Sequence, residues 1–74
     1  MKVSVVSLNF SPGHMAHLRA YKELFSVVVD EVKLFLAPEY EKYMGVKAEI
    51  IYTDDIRRIV EFQPDLVFIL VNKM

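Results

Sequence analysis

Residues 3–14 read VSVVSLNFSPGH, an apolar segment followed directly by the turn Ser11-Pro12-Gly13-His14. The segment Val3–Leu8 is rich in β-branched residues and is apolar on both faces, which is typical of a central strand in a parallel sheet. Ser11 can cap a helix through its hydroxyl, and Pro12 suits a first helical position because it has no N–H to leave unpaired. The stretch therefore predicts a strand, a tight turn and a helix.

The helix after this turn is predicted to run from Pro12 to about Val28. At about 100° per residue, His14 and His17 fall on its apolar face, one helical turn apart. The other residues predicted to face inward are Leu18, Tyr21, Leu24, Phe25 and Val28. Those predicted to face solvent are Arg19, Lys22, Glu23 and Ser26.

The remaining elements follow from apolar runs and their boundaries. Strands are predicted at Val32–Leu36, Ala48–Tyr52 and Leu66–Val71, the last as a fully buried strand of consecutive apolar residues. A short helical segment runs from Pro38 to Met44, where Gly45 stops it. The last helix is predicted with Thr53 as its cap, Asp54 and Asp55 in its first turn, a buried stripe of Ile56, Ile59 and Val60, and Pro64 after its end.

The predicted order is β-α-β-(short α)-β-α-β, which indicates an α/β fold with a partial Rossmann-like parallel sheet. The two most apolar strands, the first and the fourth, belong side by side at the centre, so the spatial order is third, second, first, fourth. Ligands bind outside the carboxyl ends of strands where the chain reverses direction. Here that crevice is predicted to lie between Asn9–His14 and Asn72-Lys73.

Length and composition limit the function classes. The 74 residues are one domain at most, and we expect an incomplete Rossmann-like domain over 1–74 with no internal boundary, near the lower size limit for an independent core. A net charge of −1 with interspersed signs excludes the basic footprint of a nucleic-acid-binding protein. The absence of cysteine excludes disulfides and thiolate chemistry, and no secretory signal or membrane-spanning stretch is present, so we expect a cytoplasmic protein.

The candidate substrate-binding residues are Ser11, Gly13, His14 and His17. Gly13 and the free N–H groups of His14 and Met15 are predicted to form an anion cradle, and the histidines to contact the ligand. No catalytic residue is assigned. The two histidines lack a third ligand, so no metal is expected, and the only glycines, Gly13 and Gly45, cannot form a dinucleotide fingerprint or a P-loop, so no cofactor is expected.

Two tyrosines fall in the short helical segment. Tyr40 and Tyr43 alternate with charged residues there, as an acceptor- or lipid-contacting patch would, but such tyrosines more often pack one side of a short surface helix.

Several motifs together resemble a known family. The runs Lys2–Ser7, Ser11–His14 and His17–Ala20 resemble the opening of the amino-terminal domain of GT-B glycosyltransferases, particularly the group-1/family-4 type. Val32–Leu36 is similar to that domain's second strand, and Phe62–Val67 to its step from helix through Pro-Asp to strand. The resemblance spans essentially the whole chain, in short and degenerate motifs.

The resemblance implies an enzyme of two facing Rossmann-like domains that transfers a hexose from a nucleotide sugar to a saccharide or lipid-linked acceptor, as in polysaccharide biosynthesis. It implies that Gly13 lies near the donor diphosphate, that His14 or His17 faces the cleft, and that any membrane contact runs through a lipid-linked acceptor. The carboxyl-terminal donor domain, with the family's Glu-x(7)-Glu element, is not in these residues. The segment alone is therefore expected to be inactive, with that donor domain as its partner.

Two alternatives remain open. The predicted fourth strand, Leu66–Val71, leaves an apolar edge, which native proteins rarely leave bare. The chain is then either part of a longer protein or a non-catalytic half-Rossmann binding module that dimerises with a second copy through this edge. A cobalamin-binding domain has the same strand order, but it presents Asp-x-His-x-x-Gly where this chain has Asn9-Phe10-Ser11-Pro12-Gly13-His14.

Overall fold

A computed structural model describes residues 1–71 of the chain. Its elements are, in order, β1 (Lys2–Ser7), α1 (His14–Val28), β2 (Glu31–Leu36), a 3₁₀ turn (Pro38–Tyr40), α2 (Glu41–Met44), β3 (Ile50–Tyr52), α3 (Arg57–Phe62) and β4 (Leu66–Ile69). The four strands form one parallel sheet in the order β3-β2-β1-β4. The predicted α/β class, element order and strand order are confirmed.

β1 is the strand that organises the sheet. It pairs with β2 from Lys2 to Ser7 on one side and with β4 from Val3 to Val6 on the other. Residues 3–7 are all buried, as expected for a strand covered on both faces.

The helices cover the two faces of the sheet unequally. One core contains Leu18 of α1, Tyr40 and Met44, packed on side chains of the first three strands, which are Val3, Val5, Leu34, Leu36 and Ile50. The smaller core on the opposite face contains Val6, Phe35 and Ile59, so α3 lies over β1 and β2. Right-handed crossovers produce this arrangement, because the chain moves from β1 to β3 in one direction and returns to β4 in the other.

α1 begins two residues later than predicted and is rotated from its predicted orientation. Gly13 occupies the cap position, and the Ser11 hydroxyl does not cap the helix. Leu18 is buried as predicted, whereas Leu24 and Val28 are 58% and 69% exposed. The reason is that the helix packs on the sheet through Leu18, Tyr21 and Phe25, so Leu24 and Val28 lie on its exposed side.

α3 also begins later than predicted, at Arg57 rather than just after Thr53. The buried Thr53 hydroxyl accepts a hydrogen bond from the Asp55 N–H at 2.9 Å, and the Asp55 carboxylate accepts one from the Arg57 N–H at 2.9 Å. Two successive side-chain turns therefore lead into the helix, and the predicted first turn of Asp54 and Asp55 precedes it. Gln63 ends the helix in the left-handed conformation (φ 55°) just before Pro64, which confirms the predicted end.

The predicted burial around β4 is wrong in two respects. Ile59 is buried as predicted, but Ile56 and Val60 are 62% and 68% exposed. β4 was predicted to be fully buried, yet Leu66 and Ile69 are 44% and 59% exposed. Since α3 lies over β1 and β2, no described helix covers the face of β4 that carries Val67 and Ile69, whereas Phe68 on the other face packs against Tyr21 and Phe25 of α1.

Candidate functional site

The Ser11–His14 turn lies at the carboxyl end of β1, where β1 has β2 on one side and β4 on the other. This is the point of chain reversal at which open α/β sheets bind ligands. The turn therefore lies at the end of β1 where the sequence predicts it.

The backbone N–H groups of this turn are already used. The His14 N–H donates to the Ser11 carbonyl at 3.0 Å, and the Met15 N–H donates to the Pro12 carbonyl at 3.3 Å. The predicted pair of free N–H groups is therefore not present. An anion would have to compete with these two local hydrogen bonds.

Gly13 has an ordinary helical backbone conformation, with φ −66° and ψ −19°. Any residue adopts this conformation, and a Cβ added at Gly13 would meet no atom within 4 Å. Glycine is therefore not required by the fold at this position. Its effect is to leave open space on the outside of the turn.

A buried tyrosine holds the turn in place. The Tyr40 hydroxyl lies 2.8 Å from Ser7 Oγ and accepts a hydrogen bond from the Ser11 N–H at 2.9 Å. It also lies 3.3 Å from the carbonyl oxygens of Asn9 and Ser11. Tyr40 is fully buried, so this hydroxyl joins β1, the turn and the 3₁₀ segment in one buried network.

The prediction that both tyrosines pack a surface helix is wrong for Tyr40. Only Tyr43 is exposed, and its ring stacks on Phe10 at 5.5 Å while Phe10 also packs against Tyr40 at 4.9 Å. The burial of Tyr40 is a tertiary feature, because the partners of its hydroxyl lie on β1 and in the Ser11–His14 turn.

His14 is connected to the same network. Its Nδ1 lies 3.4 Å from Ser7 Oγ, and the ring is half-exposed beside the turn. Because an imidazole has two ring nitrogens, this contact leaves Nε2 for a ligand. Ser7 itself is fully buried, which prevents it from acting as a nucleophile on a substrate.

His17 is exposed on the next turn of α1, and its nearest aromatic neighbour is Tyr21, with ring centroids 6.5 Å apart. The structure thus joins Ser11 and His14 in one network through Tyr40 and Ser7, and it leaves His17 outside that network. Gly13 lies between Ser11 and His14, on the open side of the turn.

An apolar groove of about 350 Å³ opens beside the turn, between α3 and β4. We call it the α3–β4 groove; its lining residues are Val6, Leu8, Asn9, Ile56, Ile59, Val60, Val67, Ile69, Leu70 and Val71. Of the predicted crevice residues Asn9–His14, only Asn9 contributes to it. Asn72 and Lys73 lie outside the described residues.

A smaller cavity of about 140 Å³ lies between α1 and β3 and is lined by charges of both signs. Lys22 Nζ is 3.4 Å from a carboxylate oxygen of Glu49. The Glu49 backbone N–H and Lys22 together lower the pKa of the Glu49 carboxyl. The lining carries three cations, Arg19, Lys22 and Lys47, and two carboxylates, Glu23 and Glu49, so one positive charge is left over.

Residues 1–71 contain no cluster of three or more His, Asp or Glu side chains arranged to hold a metal ion. Within the same range, no helix is long and apolar enough to cross a membrane.

The strand order and the geometry of the turn are the observations that bear on function. Comparison of the chain with protein-family models, with curated proteins and with solved structures finds no match.

Proposed function

We propose that the chain is the amino-terminal segment of a GT-B glycosyltransferase, which transfers a hexose from a nucleotide sugar to a saccharide or lipid-linked acceptor. The observation that carries this proposal is the Ser11–His14 turn at the chain reversal between β1 and β4. Ligands of open α/β sheets bind there, and the motif resemblance makes a nucleotide sugar the ligand to test.

His14 is the group of the turn best suited to contact the donor diphosphate or a sugar hydroxyl. Its Nδ1 is oriented by Ser7, its ring is half-exposed, and the neighbouring N–H groups are already bonded within the turn. A positioned imidazole stabilises developing negative charge on a leaving diphosphate. His17, one turn further along α1 and exposed, is placed to contact an acceptor.

Gly13 would serve this site by leaving space. A side chain there would project into the open region outside the turn, where no described atom lies within 4 Å of a Cβ. A ligand that approaches the turn closely would therefore meet any larger side chain at this position.

The test is hexose transfer by the protein encoded by the whole reading frame that contains these residues, with a panel of nucleotide sugars and release of nucleoside diphosphate as the readout. We expect His14→Ala to lower kcat/KM by roughly 10- to 100-fold, the effect of losing a hydrogen bond to a charged group. Glu61→Ala is the control, because Glu61 is exposed on α3, on the other face of the sheet.

Failure of every donor both to support transfer and to raise the melting temperature would contradict the proposal. Hexose transfer that His14→Ala does not slow would support the glycosyltransferase activity but contradict the role of His14 in binding the donor.

A non-catalytic binding module is the second candidate, and one observation favours it. The N–H groups of His14 and Met15 are used within the turn, whereas the apolar surface beside β4 is open. Such a module would act through the edge of its sheet rather than through the turn. Hexose transfer separates the two candidates, because only the enzyme performs it.

A further inference from the structure

We propose that the α3–β4 groove is a homodimer interface, in which α3 of one copy packs into the groove of its partner and the partner's α3 packs into the groove of the first. The inference rests on the second candidate function, the binding module, because the rest of a longer chain would be free to cover the same surface. Its evidence is the shape and chemistry of this surface.

The groove exists because α3 is displaced from β4. Ile59 anchors α3 on Val6 and Phe35, which belong to β1 and β2. The face of β4 that carries Val67 and Ile69 consequently has no described helix above it, and it forms the floor of an apolar groove of about 350 Å³.

The same helix carries an apolar ridge. Ile56, at the start of α3, and Val60 are four residues apart, so they lie one above the other, and they are 62% and 68% exposed. Each copy thus presents both a ridge and a groove next to each other. A two-fold axis can place each ridge in the other copy's groove, which is the self-complementarity that an isologous dimer requires.

The charges around the groove suit a second copy. None of its lining side chains is charged, and Asn9 is the only polar residue among them. The groove lining itself therefore brings no like charges into contact, and the charged residues of α3, Arg57, Arg58 and Glu61, do not line the groove. A small polar ligand would find no convergent polar groups there, which small-molecule sites normally provide.

The exposed area is sufficient for a dimer. Five apolar residues of the groove are 40–70% exposed, namely Ile56, Val60, Val67, Ile69 and Val71. At roughly 100 Å² each, they offer on the order of 500 Å² of apolar surface. One side of a standard interface buries about 800 Å², of which about 60% is apolar. The patch therefore supplies what one partner contributes to a stable contact.

The first experiment is sedimentation equilibrium of the 74-residue chain at micromolar concentration. We expect a dimer, and we expect Val60→Lys and Ile69→Lys each to raise its dissociation constant by about 30-fold or more, since each buries an unpaired charge. Val46→Lys is the matched control, because Val46 is also exposed but does not line the groove. Far-ultraviolet circular dichroism confirms that the variants remain folded.

The second experiment identifies the contact. The chain has no cysteine, so a Val60→Cys protein can be mixed with an Ile69→Cys protein under mild oxidation. We expect the mixed disulfide to form faster than either homodimeric disulfide, because the ridge of one copy meets the floor of the other. A mixture of Val46→Cys and Ile69→Cys proteins serves as the background.

A monomeric chain at these concentrations would overturn the proposal, and so would a dimer that is insensitive to both lysine variants. Cross-linking of the Val60→Cys and Ile69→Cys mixture no faster than the background would overturn it as well. None of these results depends on a nucleotide sugar, so they are separate from the outcome of the transfer assay.

Discussion

The hydroxyl of Tyr40 lies 2.8 Å from Ser7 Oγ, which connects the 3₁₀ turn after β2 to the last residue of β1. Ser7 in turn lies 3.4 Å from His14 Nδ1. The side chain proposed to contact the ligand is therefore positioned by a buried residue that never reaches solvent.

Removing this hydroxyl tests its structural role. Tyr40→Phe leaves the Ser11 N–H without its partner and removes the shortest hydrogen bond of the Ser7 hydroxyl, and we expect it to lower the free energy of unfolding by about 1–3 kcal/mol. Urea denaturation measures the change. Tyr43→Phe is the control, because Tyr43 is exposed and its ring keeps the stack on Phe10, so a change within about 0.5 kcal/mol is expected. Equal effects of the two variants would contradict the network.

The two glycines are expected to respond oppositely to alanine. Gly13 has a helical backbone and open space around its Cβ position, so Gly13→Ala should raise the free energy of unfolding by about 0.4–1 kcal/mol. Gly45 has a φ of 76°, which strains any L side chain, so Gly45→Ala should lower it by about 1 kcal/mol or more. Thermal denaturation of both variants decides the matter, and destabilisation by Gly13→Ala would show that the turn needs glycine.

Leu18 and Leu24 test the orientation of α1. Leu18 is fully buried and Leu24 is 58% exposed, although the helical period predicts both on one face. Leu18→Ala is expected to cost about 2–5 kcal/mol, which is a large part of the stability of so small a domain. Leu24→Ala should cost less than about 0.5 kcal/mol in the monomer. Comparable losses in urea denaturation would restore the predicted orientation.

Ser4 is fully buried on β1, and its hydroxyl has no hydrogen-bond partner among the described residues. Ser4→Ala removes an unpaired polar group from the sheet and is expected to leave stability unchanged or to raise it by about 1 kcal/mol. The neighbouring Ser7→Ala removes a bonded hydroxyl and is expected to destabilise by about 1–3 kcal/mol. A loss at Ser4 as large as that at Ser7 would indicate a partner for the Ser4 hydroxyl.

The start of α3 should respond to acid. Hydrogen bonds from the Arg57 side chain, and then from its backbone N–H, lower the pKa of Asp55 below its usual value of 3.8. Because the pKa of Asp55 is lower in the folded chain than in the unfolded chain, its ionised carboxylate stabilises the fold above the unfolded pKa. This stabilisation is lost as the pH falls through the folded pKa. Asp55→Asn is therefore expected to reduce the loss of stability below about pH 4. Asp54→Asn, at an exposed neighbouring side chain, is the control, and an equal effect there would contradict the assignment.

The strand order could be predicted because the residues of β1 alone identify it as a central strand. Apolar residues on both faces of Val3–Leu8 indicate a central strand, and right-handed crossovers then leave few ways to place the others. The end of α3 could also be predicted from local sequence, since Pro64 disfavours a helical conformation in the residue before it.

The features that could not be predicted are tertiary. Helical periodicity predicts Leu24 and Val28 on the apolar face of α1, but it does not show that they stay exposed when the helix packs on the sheet through Leu18. Likewise, the spacing of the tyrosines does not reveal that Tyr40 points inward to Ser7. Nor does the sequence of the turn reveal that its N–H groups donate to the carbonyls of Ser11 and Pro12.

The pairing of β1 with both β2 and β4 has a kinetic consequence. Contacts between β1 and β2 close a loop of modest length, whereas pairing of β1 with β4 brings together Lys2 and Asp65 from nearly the whole length of the chain. There the Lys2 N–H donates to the Asp65 carboxylate at 2.7 Å, and the Asp65 N–H donates to the Lys2 carbonyl at 2.8 Å. Closing the longer loop costs more chain entropy and raises the contact order. We therefore expect the β1-α1-β2 unit to form early in folding and the docking of β4 to be late. Until β4 docks, one edge of β1, the most deeply buried strand, stays open, and the folding chain is then most vulnerable to aggregation.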